Sequence, residues 1–128
     1  MTEWRSLESF AFGDSPALGD ELAALVLAGR KRATCWPVAE GAQTAVGNRM
    51  VMLDGLGRPR AVLETVELVQ LRFGDVDAAF AFDEGEGDRT LAAWRAAHRR
   101  YFTRRGEFSE DLALWCERFR LVEVIESD

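Results

Sequence analysis

The sequence predicts an α+β domain, built as a small mixed sheet or partly closed barrel with helices covering an edge. Three observations carry that expectation. Residues 60–71 and 114–125 place apolar side chains at strand spacing. Residues 16–28 and 91–102 place them at helical spacing. No repeat or linker divides the 128 residues, so 1–128 is expected to be a single domain, a size that buries roughly two thirds of the unfolded surface.

Each element follows from local chemistry. Ser15 can cap a helix that starts at Pro16, where a missing N–H costs no hydrogen bond, and Leu18, Leu22, Leu25 and Val26 form its apolar stripe to about Ala28. Gly29 can take the left-handed conformation that ends the helix, with Arg30 and Lys31 beside the carbonyl end of its dipole. Residues 49–54 alternate weakly and LDGLGRP turns the chain, so a hairpin leads into the strand at 60–71. There Glu64 interrupts the apolar face shared by Val62, Val66 and Leu68. Asp75 is expected to cap a short helix containing Val76, Ala79 and Phe80. The acidic, glycine-bearing bend DEGEGDR follows, and Thr90 begins a helix with Leu91, Trp94, His98, Tyr101 and Phe102 near one face. Ser109 is expected to cap a brief turn before the last strand, residues 114–125.

Composition narrows the function classes. With 48% hydrophobic and 30% charged residues the chain has the makings of a packed core, which excludes a disordered or low-complexity protein. Two cysteines are too few for a disulfide framework, and charges interrupt every apolar run before it could span a bilayer. The opening MTEWRSLESFAFG has neither a basic nor an uninterrupted apolar stretch of the secretory kind, so a cytoplasmic, soluble protein is expected. A net charge of -6 opposes docking on long duplex nucleic acid or an anionic membrane, while leaving a small or local anionic ligand open.

Chemical candidates are few. Lys31 is the only lysine against fifteen arginines, and Thr34 lies three residues on, close enough for an amine to approach a hydroxyl. Hydroxyl activation would need Lys31 sheltered from water and short of its proton; the ordinary reading is a cationic helix end followed by a threonine opening a strand. Glu84, Glu86 and Asp88 can turn a carboxylate into a cavity on a glycine-bearing bend, or can equally form a solvated turn before the next helix. Glu64, flanked by valines, calls for a cavity, for Lys31, or for an arginine partner. His98 between Trp94 and Phe102 reads as a hydrogen-bonded core histidine. Trp36 offers an aromatic surface on which a base can stack, next to Cys35, and could equally be a core residue. Arg95, Arg99, Arg100, Arg104 and Arg105 can form a phosphate-binding patch or a merely solvated face. No spacing matches a calcium loop or a zinc framework, so neither a metal nor an organic cofactor is expected.

Taken in order, residues 12–14, the helix leading into GRKRAT, the GRPRAVLETVEL strand, the FAFDEGEGD bend and the WRAAHRRYF helix resemble an ASCH domain over nearly the whole chain. That resemblance implies a PUA-like mixed β-barrel with flanking helices, associated with RNA recognition or processing, in which some members hydrolyse RNA or a modified cytidine. Gly29, Lys31 and Thr34 occupy the family's glycine, lysine and threonine positions. Similarity to the small bacterial ASCH amidohydrolases implies amide hydrolysis of an N4-acylated cytidine such as N4-acetylcytidine: Thr34 attacks the amide, Lys31 activates the hydroxyl and Glu86 relays protons. Similarity to the ASCH ribonucleases implies instead metal-independent cleavage of single-stranded RNA, with Lys31 stabilising phosphate charge and Ser109 adding a hydroxyl. A non-catalytic RNA-binding module is the third expectation. Trp36, Glu64, Arg99, Arg100 and Ser109 are the expected substrate-binding residues, and the expected partner is a modified cytidine nucleoside or single-stranded RNA. The long glycine-containing bend and the aromatic C-terminal helix depart from the smallest members, which bears on substrate choice.

Overall fold

A computed structural model of the protein describes residues 3–126; the ends of the expected domain, residues 1–2 and 127–128, lie outside the described residues. Its elements are β1 (Ser9–Ala11), α1 (Pro16–Leu27), β2 (Ala33–Pro37), β3 (Arg49–Leu53), β4 (Pro59–Arg72), α2 (Ala78–Glu84), α3 (Leu91–Arg104) and β5 (Ala113–Val124), with single 3-10 turns at Trp4–Ser6, Val38–Glu40 and Phe73–Asp75. The five strands form one mixed sheet in the order β1-β3-β4-β5-β2. β1 runs parallel to β3 and every other pairing is antiparallel.

The expected PUA-like barrel is corrected to an open sheet, because β1 and β2 remain its two edges and do not pair with each other. Backbone supply explains this. β1 is three residues long, and β2 is five residues long and ends on Pro37, which has no N–H to give. The long strands β4 and β5 carry register shifts at Val62/Leu63 and Thr65/Glu67, irregularities that increase local twist. Both edges nevertheless line one cavity, described below.

Local signals place the helices. Ser15 Oγ accepts from the Leu18 N–H with Pro16 at the first position, and α1 buries Leu22, Ala23 and Val26. Ala23 and Val26 pack with Met52, Ala61, Leu63 and Phe119 of the sheet. Past α1, Gly29 has φ 77°, and the Leu25 carbonyl accepts from both Arg30 and Lys31 N–H, which fixes where Lys31 leaves the helix. Asp77, not the expected Asp75, caps α2 by accepting from the Phe80 N–H; Asp75 belongs to the preceding turn and pairs with Arg72 at 3.1 Å. Thr90 caps α3, and Trp94 and Phe102 join Phe73, Phe80, Leu114 and Cys116 in a second apolar cluster. At the β3–β4 turn, the Asp54 carboxylate is 2% exposed. Burial works against its charge, but backbone N–H groups of Arg58 and Leu56, then the Arg58 and Arg60 side chains, bring its pKa to about 2. No helix among the described residues is long and apolar enough to cross a membrane.

Candidate functional site

The site is assembled where the chain leaving α1 meets the bend after α2. Gly85 ends α2 with φ 75°, and a side chain there would overlap the Arg30 carbonyl and come within 2.8 Å of the Lys31 Cα. The two segments are laced together: Arg32 N–H donates to the Asp83 carbonyl at 2.6 Å, and Arg30 Nε donates to the Gly85 carbonyl at 2.8 Å. This close approach delivers Glu84 and Glu86 to Lys31.

Lys31 is 2% exposed and donates to four acceptors: the Ala33 carbonyl (2.9 Å), Glu84 Oε2 (3.0 Å), Glu86 Oε2 (2.8 Å) and, more weakly, the Glu84 carbonyl (3.3 Å). Glu84 is also buried, and its Oε1 accepts from Trp94 Nε1 at 3.2 Å with His98 Nε2 at 3.5 Å. Glu86 retains a 38% exposed side chain. Burial opposes the Lys31 charge, but Glu84 and Glu86 outweigh it and hold the pKa above the ordinary 10.5. Lys31 is therefore an ammonium at neutral pH, the reverse of the proton-poor amine that hydroxyl activation requires. Glu84, although burial penalises its charge, is held well below the usual carboxylate range by Lys31 and His98. For Glu86, burial and the neighbouring Glu84 charge prevail over Lys31 and raise the pKa. Glu84 is thus held as an anion, and the more exposed Glu86 gives up its proton less readily than a free carboxyl does.

This cluster lines a cleft of about 740 Å³. Phe12 beside β1 and Thr34 and Trp36 of β2 contribute to its walls, and Tyr101, Arg100 and Arg104 of α3 line it as well. Thr34 lines the cleft, but its hydroxyl makes no hydrogen bond to another described residue and is not among the Lys31 acceptors. Trp36 also reaches the cleft, its indole fixed by donation from Nε1 to the Gly41 carbonyl at 2.8 Å.

Other expected residues lie elsewhere. Glu64 is outside the cleft, between Arg49 (2.8 Å) and Arg120 (3.2 Å), whose hydrogen bonds lower its pKa. The arginine partner, not Lys31, answers its placement among valines. Arg99 pairs with Glu110 at 2.8 Å and does not line the cleft, whereas Arg100 does. Ser109 is exposed in the turn before β5; its carbonyl accepts from Leu112 N–H and its side chain caps nothing. Asp88 accepts from Thr90 at 2.7 Å, outside the cleft. His98 bonds the Trp94 carbonyl through Nδ1 at 2.9 Å and stacks on Trp94 with centroids 4.2 Å apart, as a packed histidine should, while still lining the cleft.

Glu117 and Thr65 escaped the sequence reading. Glu117 lies opposite Thr34 in the β2–β5 register, and Thr65 Oγ1 donates to its Oε2 at 2.6 Å. Burial raises the Glu117 pKa against the opposing pull of Thr65 and Lys31. Alternation within each strand gave the only available signal; the pairing joins residues about fifty positions apart, which no local spacing encodes.

The ASCH domain family model matches residues 8–123, which contain every element just described except the first 3-10 turn and Val124 of β5. The chain belongs to the ASCH family. A crystal structure of an ASCH domain from Lactobacillus crispatus JV V101 is 32% identical, with a TM-score of 0.83, covering 94% of this chain and 82% of that one. The EF3133 protein of Enterococcus faecalis V583 is 30% identical at a TM-score of 0.80, covering 91% and 77%. The hypothetical protein PH0355, 11% identical at a TM-score of 0.60 and covering 80% and 93%, shares the fold. No curated protein matches this ASCH domain.

Proposed function

We propose that this ASCH domain is an RNA-binding module whose cleft takes up a single cytidine-like nucleotide from single-stranded RNA, or the equivalent free nucleoside. The observation that carries the reading is the buried Lys31–Glu84–Glu86 cluster at a cleft of about 740 Å³, a volume within the range of small-ligand sites. Carboxylates accept hydrogen bonds from the exocyclic amine of cytosine, and Glu86 and Glu117 line the cleft. Trp36 and Tyr101 supply aromatic surface for a base, and the exposed Arg100 and Arg104 supply charge for a phosphate. The net charge of -6 weighs against a long duplex and in favour of a ligand held at one place.

Isothermal titration with cytidine, N4-acetylcytidine, uridine and a short single-stranded RNA tests this. Cytidine compounds should bind and lose affinity in Glu86→Gln, and RNA affinity should fall with salt. Equal affinity for uridine and cytidine, or wild-type affinity in Glu86→Gln, would remove the base assignment.

A second reading, hydrolysis of an N4-acylated cytidine, is favoured by one observation: the Thr34 hydroxyl lines the cleft without a hydrogen-bond partner among the described residues. In this reading Thr34 Oγ1 attacks the acyl carbonyl and gives its proton to Glu86, the carboxylate whose raised pKa suits proton transfer. Glu86 returns that proton to the departing N4 amine, and water then cleaves the threonyl ester to free the acid and restore the hydroxyl. Lys31 holds Glu86 in place as an ammonium rather than acting as the base. Release of acetate from N4-acetylcytidine by the wild type and not by Thr34→Val would support it; equal turnover in both would end it.

A further inference from the structure

The side of Glu84 facing away from Lys31 is the most unusual chemistry in the chain. Cys35 from β2, Glu84 from the end of α2 and His98 from α3 each bring one donor atom to a common point, all within 4.8 Å of one another. Glu84 divides its two oxygens: Oε2 accepts from Lys31, while Oε1 is directed toward Trp94 and His98. The orientation of His98 is informative. Its Nδ1 lies 2.9 Å from the Trp94 carbonyl, which can only accept, so Nδ1 carries a proton. In the neutral ring Nε2 then holds a lone pair, and it faces Glu84 Oε1 at 3.5 Å. Two lone pairs that face each other need a proton or a cation between them. A histidine that donates one nitrogen to a backbone carbonyl and presents the other to a carboxylate and a sulfur has the outer hydrogen bond of a metal ligand.

We propose that Cys35 Sγ, Glu84 Oε1 and His98 Nε2 form a three-ligand site for a divalent transition metal, zinc above all, with its fourth position open to the cleft. Sulfur, imidazole and carboxylate are zinc's ordinary ligands, and three protein ligands with one open position is the arrangement of sites that bind a further molecule. All three residues line the cleft, so the open position has access to it. Binding is balanced in charge and atoms: Cys35 loses its S–H proton to solvent as the S–Zn bond forms, any proton on His98 Nε2 leaves the same way as the N–Zn bond forms, and His98 keeps its Nδ1 proton. Lys31 offers one positive charge to the two carboxylates of Glu84 and Glu86. With both acids ionised, that group carries one net negative charge, and a dication with one new thiolate cancels it. Lys31 stays on Oε2, so metal binding does not require its displacement. Spacing along the sequence could not show this because the ligands come from three elements that meet only in the fold.

Metal binding at these three residues is independent of the cleft's organic ligand and is measured without one. The test titrates the full chain, prepared free of metal, with zinc in competition with a chromophoric chelator, and repeats it with cobalt to read the thiolate-to-metal charge-transfer absorption. One equivalent of zinc should bind with a Kd below about 1 μM. Cys35→Ser and His98→Gln should each weaken binding by at least about 100-fold, the upper range for losing only an outer-shell partner. Cys35→Ser should also abolish the cobalt charge-transfer band, and Cys116→Ala should keep it. The proposal is overturned by absence of stoichiometric zinc binding in the wild type, or by wild-type affinity or a persistent charge-transfer band in Cys35→Ser. Circular dichroism establishes that each variant is folded; if His98→Gln is not, Cys35→Ser, which exchanges one atom, decides alone.

Discussion

Replacing Lys31 with methionine tests the electrostatic account of the site most directly. The side chain stays long and apolar but its charge is deleted, leaving Glu84 buried and Glu86 partly buried without the ammonium that each contacts at 3.0 and 2.8 Å. Breaking a buried ion pair by removing one partner costs roughly 3–5 kcal/mol, because the remaining charge keeps its desolvation penalty. A domain of this size has a total stability of roughly 5–15 kcal/mol, so Lys31→Met should remain folded but lose a large part of its margin. At roughly 4 °C per kcal/mol the melting temperature should fall by about 12–20 °C. The cause is separable from lost packing. Adding Glu84→Gln and Glu86→Gln removes the stranded charges, so the triple variant should regain part of the loss. The deficit of Lys31→Met should also shrink as pH falls and the stranded carboxyls take up protons. Urea unfolding of the wild type, Lys31→Met and the triple variant at neutral and mildly acidic pH measures both effects. A Lys31→Met cost below about 1 kcal/mol, the value of a surface pair, or no recovery in the triple variant, would mean that Lys31 does not compensate the two acids.

Three further outcomes follow from the same geometry. Gly85→Ala should destabilise the protein by more than about 1 kcal/mol in chemical unfolding, since the residue needs φ 75° and its Cβ would strike the Arg30 carbonyl; a neutral result would mean the two segments are not locked together. Asp54 has its pKa depressed from 3.8 to about 2, so its contribution to stability is complete above the higher value and disappears as pH falls through the lower. The stability gap between wild type and Asp54→Asn should accordingly close between those limits, as read by thermal unfolding in an acid series. Arg100→Ala should weaken single-stranded RNA binding and reduce the salt slope by about 0.7, while Arg99→Ala, whose guanidinium is paired with Glu110 outside the cleft, should leave both near the wild-type value.

Elements with local determinants were readable from the chain alone. The caps at Ser15 and Thr90, the turn at Gly29, the β3–β4 hairpin and the strand ending at Val124 all depend on neighbours within a few residues. The edges were less legible. β1 is too short for alternation to register, and whether β1 and β2 join into a barrel is decided by which backbone groups face each other across the fold. Asp75, the expected cap, is taken up in the tight turn at Phe73–Asp75, and the helix starts later, capped by Asp77. Among the candidate site residues, Lys31, Thr34, Trp36, Glu86 and Arg100 all line the cleft, and Glu64, Arg99 and Ser109 do not. Lys31, Thr34 and Trp36 follow the end of α1, Glu86 lies on the bend after α2 and Arg100 on α3, all segments whose start is marked by a local cap or turn. Glu64 is decided by arginines on two other strands, and Lys31 by two acids more than fifty residues away, so the sign of its pKa shift required the tertiary structure.

Burial of the sole lysine has a practical consequence for handling the native protein. An amine-directed dye, crosslinker or acylating agent finds no lysine side chain on its surface, because the single one is 2% exposed and all three of its protons are engaged. Lysine labelling of the native state should therefore wait for the bend to part from α1, which turns an ordinary coupling reagent into a clock for that opening.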